Sequence, residues 1–271
     1  MFDATFDADR PVVGMVHLPA LPGAPGYEGD RRALRDHARR DAATLAAAGV
    51  DGVIVENYGD APFYPDEVPA HVVASMTHLV DAVRRVVDVP VGVNVLRNDA
   101  TAAVSVAAAT GAAFVRVNVH TGARVTDQGV VEGRAHETMR LRDRLDADVR
   151  VLADVDVKHS APLGGDAGDD EDPAARAVAD VVGRGLADGV VVSGSRTGEA
   201  VDPDRLDAVA AACDRAGVPL FVGSGVTPET VGEVLAVADG VVVGTALKRD
   251  GETGEPVDED RVRRLVAAVP D

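Results

Sequence analysis

Leu186-Ala-Asp-Gly-Val-Val-Val192 recurs as Val237-Ala-Asp-Gly-Val-Val-Val243 and, earlier, as Ala48-Gly-Val-Asp-Gly-Val-Ile-Val55. Each copy reads as the close of a helix, a tight turn and the opening of an apolar strand. The shared glycine (Gly52, Gly189, Gly240) is read as the residue that gives this turn its backbone freedom. A helix-to-strand joint repeated along a chain marks βα units. Outward from these copies, eight β-rich runs follow in order: 12–17, 52–56, 91–95, 113–119, 150–157, 189–193, 220–223 and 240–244. Helical patterns fill the intervals at 31–48, 70–87, 100–110, 134–146, 173–186, 202–216, 228–238 and 258–269. This alternation predicts the α/β class and a single (β/α)8 TIM barrel over residues 1–271, with a short extension at 1–10 and a last helix near 258–269. A doubly wound open sheet is the alternative, but it would not by itself require eight units.

Connections into the strands are short, whereas those leaving them are long at 18–30, 57–69, 120–133 and 159–172. In barrels the loops after the strands build the functional face. The fifth run, Val151-Leu-Ala-Asp-Val-Asp-Val-Lys-His-Ser160, breaks the apolar rule for a covered parallel strand. Period two places Val155 and Val157 on one face and Asp154, Asp156 and Lys158 on the other. Such groups are costly to bury unless they pair or do chemistry. The fourth run, Phe114-Val-Arg-Val-Asn-Val-His120, alternates in the same way, with Arg116, Asn118 and His120 on one face. An internal Arg116 pair with Asp154 or Asp156 is therefore expected, either as a satisfied plug or as part of a catalytic set.

The polar residues gathered at the strand ends are His17, Glu56, Asn94, Asn118, Asp154, Asp156 and Ser193, with Arg116 deeper and Lys158 and His159 at the rim. Asp156 is the expected acid/base and Asp154 its structural or orienting partner; Lys158, His17 and Glu56 complete the candidate catalytic set. Asn94, Arg116, Asn118, His159 and Ser193 are the candidate substrate contacts. Charge recognition is favoured over an imine for Lys158, because two nearby aspartates would keep its ammonium charged. Glycine-rich turns after the last three strands, Gly194-Ser195, Gly223-Ser224-Gly225 and Gly244-Thr245, suit phosphate oxygens approached by backbone N–H groups. Thr227 and Pro228 then read as the cap and first residue of a helix. A divalent metal stays open as the alternative: His17, Glu56, Asp154 and Asp156 could converge on one, although no His-x-His or His-Glu-x-x-His spacing occurs.

The formal charge of −18 excludes a basic nucleic-acid footprint. Lys158 and Lys248 are the two lysines of the chain. An acidic chain poor in lysine suggests adaptation to strong salt, or a GC-rich genome. Cys213 is alone, which excludes an internal disulfide, and it reads as a small core residue. No run approaches the length of a membrane span and the acidic N-terminus has no signal-peptide layout, so a cytoplasmic chain without membrane insertion is expected.

Several stretches together resemble the BtpA/SgcQ family: Gly14-Met-Val-His-Leu-Pro-Ala-Leu-Pro-Gly23, Val55-Glu-Asn57, Gly92-Val-Asn-Val-Leu-Arg-Asn-Asp99 and Arg116-Val-Asn-Val-His-Thr-Gly122. Asp127-Gln-Gly129, Ala153-Asp-Val-Asp-Val-Lys-His159, Ser193-Gly-Ser-Arg-Thr-Gly198 and Gly223-Ser-Gly-Val226 extend the likeness. The resemblance implies a ribulose-phosphate-binding-type barrel. The family's name derives from photosystem I biogenesis, while other members resemble sugar-metabolism proteins, and no catalytic set carries over. Two functions are therefore expected to compete. One is an enzyme of lyase, isomerase or glycosidic-cleavage type on a small phosphorylated sugar or nucleoside-derived metabolite. The other is a non-catalytic assembly factor or ligand sensor. A homo-oligomer is the default for such a barrel.

Overall fold

The computed structural model describes residues 5–155, 157–163, 172–196 and 198–270. The strands are β1 (Val12–His17), β2 (Gly52–Glu56), β3 (Val91–Asn94), β4 (Phe114–Val117), β5 (Ala123–Thr126) and β6 (Gly129–Glu132). They continue as β7 (Arg150–Asp154), β8 (Ser160–Pro162), β9 (Gly189–Val192), β10 (Leu220–Val222) and β11 (Gly240–Val243). Eight of them close a parallel barrel in the order β1-β11-β10-β9-β7-β4-β3-β2. Helices α1 (Arg31–Ala47), α2 (Ala70–Arg84), α3 (Ala100–Thr110) and α4 (Ala135–Arg144) surround the first half. The second half carries α5 (Pro173–Val178, extended by a π-helical stretch to Arg184), α6 (Pro203–Ala216), α7 (Val231–Val234) and α8 (Glu259–Val266). Part of the acidity is spent on helix starts: Asp30, Asp99, Asp172, Asp202 and Asp258 each accept a first-turn N–H.

The repeated Ala-Asp-Gly joint has a different physical basis from the one the sequence suggests. Its aspartate is the working residue: Asp51, Asp188 and Asp239 accept the backbone N–H of Val12, Val151 and Leu220, each at 2.8 Å. Each aspartate thus ties the end of its helix to the start of the adjacent barrel strand. The shared glycines do not adopt positive φ. They are needed for space, since a Cβ on Gly52, Gly189 or Gly240 would lie 2.5–2.7 Å from Phe6, Leu152 or Phe221.

Strand alternation sorts the core into two layers. Outward valines such as Val53, Val93, Val115 and Val192 pack under the helices. Inward residues Val13, Met15, Ile54, Phe114, Leu152, Val191, Phe221 and Val242 fill the barrel, and Phe6 of the N-terminal extension joins them. The Phe6 ring meets Phe114 edge-on at 5.6 Å between centroids. Gly92 faces the same ring, and a Cβ there would stand 2.3 Å from Phe114 Cε2. Gly92→Ala is therefore expected to cost about 1–3 kcal/mol by overpacking, measured as a lower urea midpoint at unchanged slope.

Three expectations are corrected. β7 ends at Asp154 and β4 at Val117, so alternation does not carry to Lys158 or His120. The long connections at 120–133 and 159–172 contribute a small antiparallel sheet, β6-β5-β8. The helix expected over 228–238 shrinks to α7, because Thr230 Oγ1 takes the Thr227 N–H and makes the segment a turn. Thr227 consequently does not cap a helix. Lys248 is fully buried and donates to Asp41 at 2.8 Å, pinning the C-terminal segment to α1. Cys213 is buried in the helix-side core, as its apolar run suggests. Among the described residues no helix is long and apolar enough to cross a membrane.

Candidate active site

Above the apolar filling, the next inward positions are polar, and they meet at the carboxyl end of the barrel. Arg116 binds Asp154 through both carboxylate oxygens, Nε to Oδ1 at 2.9 Å and Nη2 to Oδ2 at 2.8 Å. Their side chains are 5 % and 1 % exposed, which makes this a buried pair rather than a surface one. Asn118 Nδ2 approaches the same carboxylate at 3.4 Å, and Ser193 Oγ stands 3.5 Å from Arg116 Nη2. On the opposite arc Asn94 Nδ2 donates to Glu56 Oε2 at 2.8 Å, and His17 Nε2 lies 3.8 Å from Glu56 Oε1. The Tyr58 ring leans on His17 with centroids 4.9 Å apart.

Burial governs the protonation of these groups. It lowers the His17 pKa to about 3, with the cations Lys248, Lys158 and Arg116 adding and the Thr253 backbone opposing. His17 is therefore a neutral imidazole at neutral pH. Burial raises the Glu56 carboxyl, against Arg116, Lys158 and the Asn94 hydrogen bond. Lys158 is lowered to about 8, first by burial and then by Arg116, while Asp154 and Glu56 oppose. The shift runs downward rather than upward, although a pKa of about 8 still leaves the ammonium the major form at pH 7. Asp154 is engaged by Arg116, and burial outweighs the carboxylates. Lys158 Nζ donates to the Gly223 carbonyl at 2.9 Å.

These residues line a cavity of about 470 Å³. The lining includes His17, Glu56, Arg116, Asn118, Asp154 and Lys158, together with Gly223, Ser224, Gly225, Gly244 and Thr245. Gly225 has φ +70°, and a Cβ there would meet Ala200 Cα at 2.3 Å, so this turn requires glycine twice over. Gly194 and Ser195 stand outside the cavity wall. The Gly194 N–H is spent on Ser224 Oγ at 2.7 Å, and Ser195 Oγ bonds Glu199. Ser224 Oγ in turn donates to the Glu199 carbonyl at 2.8 Å, so that hydroxyl ties two loops together. Asn94 and Ser193 support the ring without lining the cavity. His159 lines the rim but is exposed, with φ 55°. His120 leaves the shared face altogether and reaches the Gly185 carbonyl at 2.8 Å. Asp156, the expected acid/base, lies outside the described residues.

For the metal alternative, no three His, Cys, Asp or Glu side chains converge among the described residues, which do not include Asp156. Asp154 is turned to Arg116, and Glu56 to Asn94. Arg97 joins the site without periodicity to announce it, because it follows β3 in a loop. Its Nη2 donates to the Lys158 carbonyl at 2.6 Å and its buried Nε has no partner. Asn118 Oδ1 is likewise buried and unpartnered. Both residues line the cavity, where a polar ligand would satisfy them. Tyr58 and Phe63 add an aromatic wall near the mouth.

The family model described as BtpA family matches residues 8–271. The chain is 45% identical over 266 residues to the Photosystem I biogenesis protein BtpA of Synechocystis sp., covering 98% of this chain and 90% of that protein. It is 48% identical over 257 residues to a protein of Thermococcus kodakarensis, covering 95% and 94%. Among solved structures, N-(5'-phosphoribosyl)anthranilate isomerase from Pyrococcus furiosus aligns with a TM-score of 0.57 at 14% identity, covering 96% of this chain and 98% of that one. That likeness concerns the barrel fold. The family match and the identity to its named member lead to one conclusion: the chain belongs to the BtpA family.

Proposed function

We propose that this chain is an enzyme acting on a small phosphorylated sugar or related metabolite. The phosphate rests against the Gly223–Gly225 and Gly244–Thr245 turns, and the substrate's oxygens face Lys158, Arg116 and Asn118. One observation carries the reading. A single cavity of about 470 Å³ is lined both by small-residue turns and by buried ionisable groups, and Lys158 Nζ touches the Gly223 carbonyl. Internal ionisable groups with shifted pKa values are costly unless they serve a task. With Asp154 held by Arg116, the proton carriers within the described site are Lys158 and Glu56. The solved barrel named above is titled for a phosphoribosyl compound, which agrees with a phosphorylated ligand but rests on fold alone.

The test is a thermal-shift screen of phosphorylated sugars and nucleotides in phosphate-free buffer at high salt. A ligand at a hundred times its Kd adds about 2.7 kcal/mol of stability by mass action, so a binder raises Tm measurably. A second reading, a non-catalytic assembly factor, is favoured by the name of the Synechocystis relative. It predicts no stabilisation by any phosphorylated compound, and that result would remove the enzyme proposal.

A further inference from the structure

We propose that Lys158 forms an imine with a carbonyl of the substrate, and that this carbonyl lies within a carbon or two of the phosphate. The inference rests on the phosphate-binding reading above and adds the reaction class. Its basis is geometric. Lys158 lines the cavity, and its Nζ is tied to the Gly223 carbonyl, at the head of the Gly223–Gly225 turn. An electrophile reached by that amine must therefore stand close to whatever group the turn holds. Among the described residues no carboxylate lies within ion-pair distance of Nζ. Asp154, at the end of the preceding strand, is engaged by Arg116 through both oxygens. Arg97 clamps the Lys158 carbonyl at 2.6 Å, which holds the backbone of the residue in place. Arg97 is accordingly a positioning residue.

A lysine used this way must be available as free amine near neutral pH, and burial beside other cations is how proteins arrange it. Among the described residues the charged groups facing Lys158 include Arg116 from β4 and Arg97 from the loop after β3, which lower its pKa. Asp154 from β7 and Glu56 from β2 raise it, and burial sets the outcome at about 8. At pH 7 such a group holds roughly two-hundredfold more free amine than an ordinary lysine.

The chemistry balances with groups on the cavity wall. The amine lone pair forms a C–N bond to the carbonyl carbon, and the ammonium proton so created passes to the carbonyl oxygen. That oxygen then leaves as water, taking one further proton, for which the protonated form of Glu56, a residue of the same cavity lining, is the donor. The products are a protonated imine, water and the Glu56 carboxylate. The cationic imine can then withdraw electrons from the neighbouring carbon, as lyase and isomerase reactions of sugar phosphates require.

The composition makes the test unusually clean, since Lys248, the other lysine, is fully buried against Asp41. The full chain is incubated with dihydroxyacetone phosphate and then borohydride, and its peptides are weighed. The expected result is a reduced adduct on the Lys158 peptide, an unmodified Lys248 peptide, and complete loss of trapping in Lys158→Arg and Lys158→Met. Ribose 5-phosphate, whose carbonyl stands far from its phosphate, should trap more weakly. Thermal shift with both compounds and with inorganic phosphate is measured on the same preparation. Stabilisation by any of the three without an adduct on Lys158 overturns the imine and leaves the phosphate reading in place. An absence of both stabilisation and adduct overturns the two together.

Discussion

Arg116→Ala and Asp154→Ala are each expected to lower unfolding free energy by about 3–5 kcal/mol, because each leaves the partner's charge buried and unpaired. Neither neighbour can take over. Asn118 and Ser193 contact the pair only at 3.4 Å and 3.5 Å, at the weak end of hydrogen bonding. Urea denaturation at neutral pH reads the loss directly as a lower midpoint. The informative variant is the double replacement Arg116→Met with Asp154→Leu. Replacing a buried ion pair with apolar residues of similar volume is often neutral or stabilising, so the double variant should recover most of the lost stability. Stabilisation by phosphorylated ligands should not return, since the charge that faces the cavity is gone. If the double variant both folds and keeps its ligand response, the pair is only a plug in the barrel and has no part in the site.

The barrel was legible because its two layers obey different rules that are both written in residue type. Outward positions such as Val53 and Val115 are valines under helices, and the inward positions between them are where Phe114, Arg116 and Asp154 stand. The polar ring was legible for the same reason: a charged residue at an inward period-two position has nowhere else to point. What failed to read was whatever lies past the strand ends. Alternation extrapolated beyond Val117 put His120 beside Asn118, whereas the chain turns there and buries His120 against Gly185. Arg97 lies on a loop with no period, so its place above Lys158 depends on a backbone path that no pattern encodes. The antiparallel excursion did leave a signal. Arg124-Val-Thr-Asp-Gln-Gly-Val-Val131 alternates around a turn whose Gly129 takes φ +102°. Taking the segment as a loop overlooked it. Three glycines of the repeated joint were misread in mechanism, because the space that Phe6, Leu152 and Phe221 need belongs to tertiary packing.

His17 sets the second large effect, a loss of stability in mild acid. Its folded pKa stands near 3 against the ordinary value of 6.5, chiefly because burial strips the imidazolium of water. Between those two values the unfolded chain binds a proton that the folded chain refuses. Stability therefore rises with pH through this window, and falls as the solution is acidified from 6.5 toward 3. One proton corresponds to roughly 1.4 kcal/mol per pH unit, so the His17 contribution should reach about 3 kcal/mol near pH 4.5. Glu56 acts with the opposite sign. Its raised carboxyl takes up a proton earlier in the folded state, which stabilises on acidification and is lost as pH rises through its folded pKa. The wild-type profile mixes both, and His120, which burial also lowers, adds to it, so the difference from His17→Gln isolates the imidazole. Unfolding free energies of the two proteins should converge as pH drops from 6.5 to 4.5, with the glutamine variant losing less. Parallel profiles would mean that His17 accepts its proton in the folded barrel, and that the ring it shares with Glu56 and Tyr58 is wetter than its burial implies.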